Sequence, residues 1–116
     1  MEKNKMDRGD ILIVDDQPNN LKILTSILEQ HGYKVRPALS GELALKAVRN
    51  SLPDIILLDI LMPGMDGFEV CKQLKADEKT GRIPVIFVSA LEDITHKMKA
   101  FAVGGEDYIS KPFHEE

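Results

Sequence analysis

The stretch "ILIVDD", residues 11–16, decides how the chain folds, because four aliphatic residues in a row end in two adjacent carboxylates. Continuous apolar runs of this length are typical of parallel strands that are covered on both faces. Two further runs, "IILL" at 55–58 and "VIFV" at 85–88, have the same character. We therefore predict three central parallel strands, with weaker edge strands near 33–38 and 107–110.

Amphipathic segments between these runs predict four helices. The first begins at Pro18 and is stopped by Gly32, and the second follows Ser40, a predicted N-cap. The third is expected over Gly67–Ala76 and the fourth over 93–103. The apolar residues at helical spacing should face inward. These are Leu21, Leu24, Ile27, Leu28, Leu43, Ala44, Ala47, Val48, Phe68, Cys71, Leu74, Ile94, Met98, Phe101 and Ala102.

The strict alternation of strands and helices predicts an α/β fold, a doubly wound five-stranded parallel sheet in the flavodoxin-like order 2-1-3-4-5. Ligands of such folds bind outside the carboxyl ends of the strands, here between strands 1 and 3. The usual fifth helix is missing from this chain, so we expect an apolar flank and a tendency to self-associate. Residues 1–9 are predicted to be a flexible leader and residues 10–116 the single folded domain.

The composition limits what the chain can do. A length of 116 residues suits one domain, and a formal net charge of -4 offers no basic surface for direct nucleic-acid binding. Cys71 is the only cysteine and is expected to be a buried small hydrophobe. No apolar run reaches the ~20 residues that span a bilayer, and the charged N-terminus does not resemble a signal peptide. We therefore expect a cytoplasmic location without membrane contact.

Chemically useful side chains follow four of the predicted strands. Asp15 and Asp16 follow strand 1, Asp59 follows strand 3, and Ser89 and Lys111 follow strands 4 and 5. Taken alone, Asp16 is more simply explained as a helix cap, Ser89 as a turn residue and Lys111 as a solvated charge. Taken together, four strand ends carry one coherent set, which the topology would bring into one pocket.

That set suits phosphoryl transfer. Clustered carboxylates repel one another at neutral pH unless a cation lies among them, and Mg²⁺ prefers such oxygen ligands. A lysine and a hydroxyl can bind phosphoryl oxygens. We therefore predict a Mg²⁺-dependent site in which Asp59, set apart from the strand 1 pair, is the nucleophile.

Four motifs make the chain recognisable. "ILIVDDQP", "PDIILLDILMPGMDGFEVCKQLK", "IPVIFVSA" and "DYISKPF" resemble the receiver domain of two-component response regulators, the CheY-like family. The resemblance covers residues 10–113. It implies that Asp59 accepts a phosphoryl group from a phosphohistidine on a sensor histidine kinase or a histidine phosphotransfer protein. Asp15 and Asp16 would hold Mg²⁺ together with Asp59 and the backbone carbonyl of Leu61.

The same resemblance assigns the remaining residues of the pocket. Ser89 would be the switch hydroxyl, Tyr108 the switch aromatic and Lys111 the contact to the phosphoryl group, with a cis peptide bond before Pro112. Phosphorylation would then change the surface of helix 4 and strand 5, which an unknown output domain or partner reads.

Two apolar residues stand beside the predicted site, Leu61 and Leu91, each two positions after a site residue. We hypothesise that they hinder the attacking water and lengthen the lifetime of the phosphoryl group.

Two alternatives to a phosphorylation switch are kept. One is a degenerate receiver that acts only as a protein-interaction module. The other is an aspartyl-phosphate phosphatase, although that class places Asp-x-Asp after strand 1 and here the aspartates are adjacent. A receiver would not be an enzyme in the usual sense, since it catalyses only its own phosphorylation and dephosphorylation. His31, His96 and His114 lack metal-ligand spacing and are expected to be exposed.

Overall fold

The computed structural model describes residues 8–90 and 94–111. Strands and helices alternate along this part of the chain. In order they are β1 (Asp10–Val14), α1 (Pro18–Gln30), β2 (Lys34–Ala38), α2 (Gly41–Asn50), β3 (Ile55–Leu58), α3 (Gly67–Ala76), β4 (Val85–Ser89), α4 (Ile94–Ala102) and β5 (Asp107–Ser110). Leu91, Pro112 and His114, for which the sequence makes predictions, lie outside the described residues, as do residues 1–7.

The five strands form one parallel sheet in the order β2-β1-β3-β4-β5, which confirms the predicted topology. The two weak strands, β2 and β5, lie at the edges, as predicted. β1 and β3 are neighbours whose last residues, Val14 and Leu58, are partners across the sheet. The residues that follow them, Asp15 and Asp59, therefore leave the sheet side by side.

Side chains of the central strands alternate between two apolar layers, one on each face of the sheet. The larger layer packs against α2 and α3 and includes Leu12, Val14, Ile56, Leu58, Val85 and Phe87. The smaller layer packs against α1 and includes Ile11, Ile13, Leu21, Leu57 and Val88. Burial on both faces explains why these strands read as continuous apolar runs.

The helix ends largely follow the sequence signals. The hydroxyl of Ser40 accepts a hydrogen bond from the backbone N–H of Leu43, which confirms the predicted cap of α2. Gln17 is the N-cap of α1, and its side chain makes no capping bond. The explanation of Asp16 as the helix cap is therefore wrong.

The prediction for the fourth helix is wrong in its buried face. Ile94, Met98 and Phe101 were expected to face inward but are 69%, 66% and 51% exposed, and Ala102 is exposed as well. Ala100 is the buried residue of α4. Apolar spacing shows which residues share a helix face, but it does not show that another layer covers that face. Leu43 of α2 departs from its prediction in the same way.

The sheet face beside α1 has an incompletely covered flank towards β5. Ile55 and Ile86 are partly buried, and Ile109 is 44% exposed. Within residues 8–90 and 94–111 this part of the sheet is apolar, and the expected self-association stays a prediction. None of the helices in 8–90 and 94–111 combines the length and apolar character needed to cross a bilayer.

Candidate functional site

The candidate site lies at the carboxyl edge of the sheet, where β1 and β3 end. The backbone N–H of Asp15 donates to Ala38 O at 3.1 Å, and the N–H of Asp59 donates to Val14 O at 2.9 Å. These bonds extend the ladder one residue beyond each strand. Both aspartates are therefore held by the sheet itself, which fixes where their side chains start.

Three carboxylates converge here, as the sequence predicts. Asp15, Asp16 and Asp59 each offer an oxygen, and these oxygens all lie within 4.8 Å of one another. Asp15 and Asp59 are buried, whereas Asp16 is partly exposed. The cluster is thus closed on the protein side and open to solvent on one side.

The side chain of Asp15 is held from two directions. Its Oδ1 accepts a hydrogen bond from the backbone N–H of Gln17 at 2.9 Å, and its Oδ2 accepts one from Lys111 Nζ at 2.7 Å. The hydrogen bond from the Gln17 amide to Asp15 is not among the predictions from the sequence. An Asp followed two residues later by a turn into a Pro-led helix is the signal for such an Asx turn.

Lys111 links two of the carboxylates. Its Nζ lies 2.7 Å from Asp15 Oδ2 and 3.3 Å from Asp59 Oδ1, and its backbone N–H donates to Ser89 O at 2.9 Å. Burial disfavours the charged ammonium, but the hydrogen bond to Asp15 and the charges of Asp59 and Asp15 outweigh it and raise the pKa of Lys111. Lys111 is therefore a cation of the pocket and not the solvated surface charge of the simpler explanation.

The environment of Asp59 disfavours ionisation of its carboxyl group. Burial, followed by the negative charge of Asp15, raises its pKa from 3.8 to about 6, while Lys111 acts in the opposite direction. A positive ion beside Asp59 would remove this penalty, since an opposite charge within a few ångströms favours the ionised form.

The donor set fits Mg²⁺. Three carboxylates and one ammonium carry a combined charge of about -2, and all the donors are oxygens, which Mg²⁺ prefers. The exposed side of the cluster at Asp16 leaves access for the waters that Mg²⁺ normally keeps. The site can therefore hold such an ion.

The other predicted site residues surround the cluster. Ser89 is buried at the last position of β4, the strand next to β3. Tyr108 of β5 is partly buried against the larger apolar layer, with Lys97 Nζ 5.6 Å from its ring centre. Leu61 is 61% exposed just beyond Asp59. The predicted roles of these residues and of the carboxylates stay predictions.

Cys71 and the histidines, which the sequence does not assign to the site, mostly have the predicted burial. Cys71 is buried and its thiol donates to Val103 O at 3.4 Å, and burial raises its pKa to about 11. Such a thiol is a poor nucleophile. His31 is exposed, but His96 is partly buried, so the prediction of an exposed histidine is wrong at that position.

Fold and site together define a doubly wound α/β protein with an acidic pocket at the switch point of its sheet, in which three carboxylates lie close enough to share a cation. The chain matches the family model described as the response regulator receiver domain over residues 11–116. It therefore belongs to the receiver domains of two-component signalling. Receiver domains are signalling switches that interact with histidine kinases or phosphotransfer proteins, and they are not turnover enzymes.

Relatives of known sequence agree with this assignment. The chain is 42% identical to Protein PilH of Pseudomonas aeruginosa, over 91% of this chain and 88% of PilH. It is also 42% identical to Response regulator PleD of Caulobacter vibrioides, over 90% of this chain but only 23% of PleD. The matching region thus makes up most of one relative and about a quarter of another.

Solved structures agree as well. A putative response regulator from Chloroflexus aurantiacus is 39% identical, with a TM-score of 0.87 over 91% of this chain and 87% of that one. The chemotaxis protein CheY4 of Vibrio cholerae is 28% identical, with a TM-score of 0.86 over 90% of this chain and 88% of that one.

Proposed function

We propose that this chain is a phosphorylation-dependent signalling switch, in which Asp59 accepts a phosphoryl group from a phosphohistidine of a histidine kinase or phosphotransfer protein. The observation that carries the proposal is the cluster of Asp15, Asp16 and Asp59 with Lys111 bound to two of its members. Family membership supports the same conclusion.

Mg²⁺ is the cofactor in this proposal. Asp15, Asp16 and Asp59 would hold it, together with the backbone carbonyl of Leu61. When bound, it neutralises charge on the carboxylates and on the oxygens of the incoming phosphoryl group.

The proposed reaction forms one covalent bond to the protein, at Asp59. A carboxylate oxygen of Asp59 forms a bond to phosphorus while the bond from phosphorus to the donor imidazole nitrogen breaks. The imidazole leaves with the electron pair and takes a proton from solvent. Lys111 is already 3.3 Å from Asp59 and can transfer its hydrogen bond to a phosphoryl oxygen, which keeps the new charge paired.

The signal is a change of surface on α4 and β5. An aspartyl phosphate places new charge and strong acceptor oxygens next to the end of β4, where Ser89 is buried. Ser89 would donate to these oxygens, and Tyr108 would follow by turning further inward. The exposed apolar residues of α4, Ile94, Met98 and Phe101, are the surface that such a shift would rearrange.

The decisive experiment is incubation with Mg²⁺ and acetyl phosphate, followed by intact-mass measurement. Wild type should gain one phosphoryl group, Asp59→Asn none, and Asp16→Ala far less than wild type at equal Mg²⁺. Asp107→Asn is the matched control, because Asp107 is an exposed carboxylate at the opposite end of the sheet. It should behave like wild type.

The other outcomes favour the two alternatives. Wild type without any adduct would support a module that only binds partners. Continuous hydrolysis of a phosphate ester in excess over protein would support the phosphatase. The filled carboxylate, hydroxyl and lysine positions argue against the first, and the adjacent Asp15 and Asp16 argue against the second.

A further inference from the structure

Residues 103–106, the loop between α4 and β5, are bonded to β4 and to α3 at the amino edge of the sheet. The N–H of Glu106 donates to Val85 O at 2.8 Å, and Glu106 Oε1 accepts a hydrogen bond from the N–H of Val85 at 2.7 Å. The thiol of Cys71 donates to Val103 O at 3.4 Å. The α4–β5 loop is therefore held by two elements, at the edge of the sheet opposite the acidic pocket.

Lys75, near the end of α3, binds the same loop through its charge. Its Nζ lies 3.3 Å from Glu106 Oε2 and donates hydrogen bonds to Gly81 O at 3.1 Å and to Ile83 O at 2.8 Å. Only 18% of the Lys75 side chain is exposed, so its ammonium would be costly to leave without a counter-ion. Glu106 is half-exposed, but its other oxygen is fixed by the β4 amide. The ion pair thus joins α3 to the α4–β5 loop.

Two glycines allow the loop to lie this close to its neighbours. A Cβ atom at Gly104 would be 2.8 Å from Cγ of Lys75, and one at Gly105 would be 2.7 Å from Cε2 of Phe87 in β4. Contacts this short leave no room for a side chain. The loop therefore packs directly on the stem of Lys75 and on the ring of Phe87.

The second half of α4 is attached to the same place. Ala100 is fully buried, and its carbonyl oxygen accepts a hydrogen bond from the N–H of Gly105 at 2.9 Å. Lys99 Nζ lies 4.7 Å from the ring centre of Phe68 in α3. The first half is more exposed, since Ile94, Thr95 and Met98 all face water. The covering of α4 is thus concentrated at the end that leads into the loop.

We propose that Lys75 and Glu106 are positioning residues that make the end of α4 a pivot, the point that stays in place when phosphorylation moves the start of the helix. This inference rests on the proposed function and adds the fixed point of the conformational change. The proposed signal arises at Ser89, five positions before Ile94 in the chain, and so reaches the start of α4 first. Ile94 lies about 9 Å along the helix from Ala100, so a rotation about the pivot displaces Ile94 most.

The test measures where phosphorylation changes the protein. Backbone amide chemical shifts are recorded by NMR for the Mg²⁺-bound protein with and without acetyl phosphate in excess, and intact mass verifies the adduct. In phosphorylated wild type, the amides of residues 94–98 should shift, whereas those of residues 103–106 should stay unchanged. Equal changes in both segments, or changes confined to 103–106, would overturn the pivot.

Variants test whether the ion pair is responsible. Lys75→Met removes the ammonium and Glu106→Gln the carboxylate, and in each the phosphorylation shifts should spread to residues 103–106. Asp10→Asn is the matched control, because it breaks the ion pair with Arg36, 3.1 Å long, at the same amino edge of the sheet but on β1 and β2. It should keep the wild-type pattern.

The remaining outcomes separate this inference from the proposed function. Folded Lys75→Met and Glu106→Gln with the wild-type pattern would overturn the positioning role. The same spread of shifts in Asp10→Asn would also overturn it, because the effect would then follow from general loss of stability. Wild type that gains no mass adduct would instead refute the proposed function, and the pivot with it.

Discussion

Asp59 combines burial with a negative neighbour, which makes its ionisation unfavourable in the folded protein. Its pKa is about 6 when folded and 3.8 in the absence of these effects. Well below pH 3.8 both the folded and the unfolded chain hold the proton of Asp59, so its burial then carries no ionisation penalty. As the pH rises from 4 to 6, the unfolded chain loses its proton first, and the folded state loses stability.

Asp59→Asn should therefore stabilise the metal-free protein at neutral pH. We expect the free energy of unfolding to exceed that of wild type by about 1–3 kcal/mol at pH 7, with the difference vanishing towards pH 4. Urea unfolding at a series of pH values measures this. Glu78→Gln, at an exposed loop position, should show no such pH-dependent gain. An Asn variant less stable than wild type at pH 7 would contradict the electrostatic argument.

Leu61 presents an apolar side chain beside the predicted phosphoryl group, and it is one of the more exposed leucines of the described chain. A polar residue there could orient a water for attack on phosphorus. Leu61→Asn should therefore speed dephosphorylation several-fold, timed by loss of the mass adduct after removal of the phosphodonor. Leu52→Asn, an equally exposed leucine before β3, should leave the lifetime unchanged. Equal lifetimes for wild type and Leu61→Asn would rule out the shielding role.

The positions of the pocket residues were predictable because each one lies at the carboxyl end of a predicted strand. Parallel strands bring their carboxyl ends together, so Asp15, Asp59 and Lys111 could be placed in one pocket from chain order alone. The hydrogen bond from the Gln17 amide to Asp15 and the close approach of the Gly67 backbone to the Asp59 carbonyl were not predictable. Both depend on the path of the backbone between helices and strands, and side-chain identity predicts that path poorly.

The same distinction holds at the scale of helices and strands. Strand order and the bounds of α3 follow from the sequence, since apolar runs and caps are local signals. The exposure of α4 does not, because it depends on which surfaces lie opposite the helix. Ala100 is the one buried residue of α4. Packing therefore contributes less to the stability of α4 than to that of α3.

Ile94, Met98 and Phe101 form an exposed apolar stripe on α4, and truncation of their side chains should be tolerated. Met98→Ala is expected to change the free energy of unfolding by less than about 0.5 kcal/mol, because its side chain is mostly in water already. Leu74→Ala, the comparison in buried α3, should cost about 2–4 kcal/mol. Urea unfolding compares the two. A loss above about 1 kcal/mol for Met98→Ala would show that the stripe is packed in solution.

At the scale of the whole molecule, the flank of the sheet that the described residues leave partly exposed predicts self-association. Ile109 is the partner of Val88 across the β4–β5 ladder, and Ile86 lies two residues before Val88 on the same α1 face. Burying Ile86 and Ile109 against a second copy would remove apolar area from water. The average mass from light scattering should rise with protein concentration, and Ile109→Lys should reduce this rise. Leu52→Lys, exposed in a loop away from the flank, should not. A wild type that stays monomeric at high concentration would contradict the prediction.

The hydrogen bond between Lys111 and Asp15 joins residues 96 positions apart. The acidic pocket thus forms only when β1 and β5 have both taken their places in the sheet, unlike a metal-binding loop made from one short segment. Metal binding should consequently be a property of the completely folded chain. Each tenfold rise in Mg²⁺ above its dissociation constant should add about 1.4 kcal/mol to the free energy of unfolding. Mg²⁺ bound in the proposed signalling pocket would therefore also stabilise the fold, by an amount that depends on the surrounding Mg²⁺ concentration.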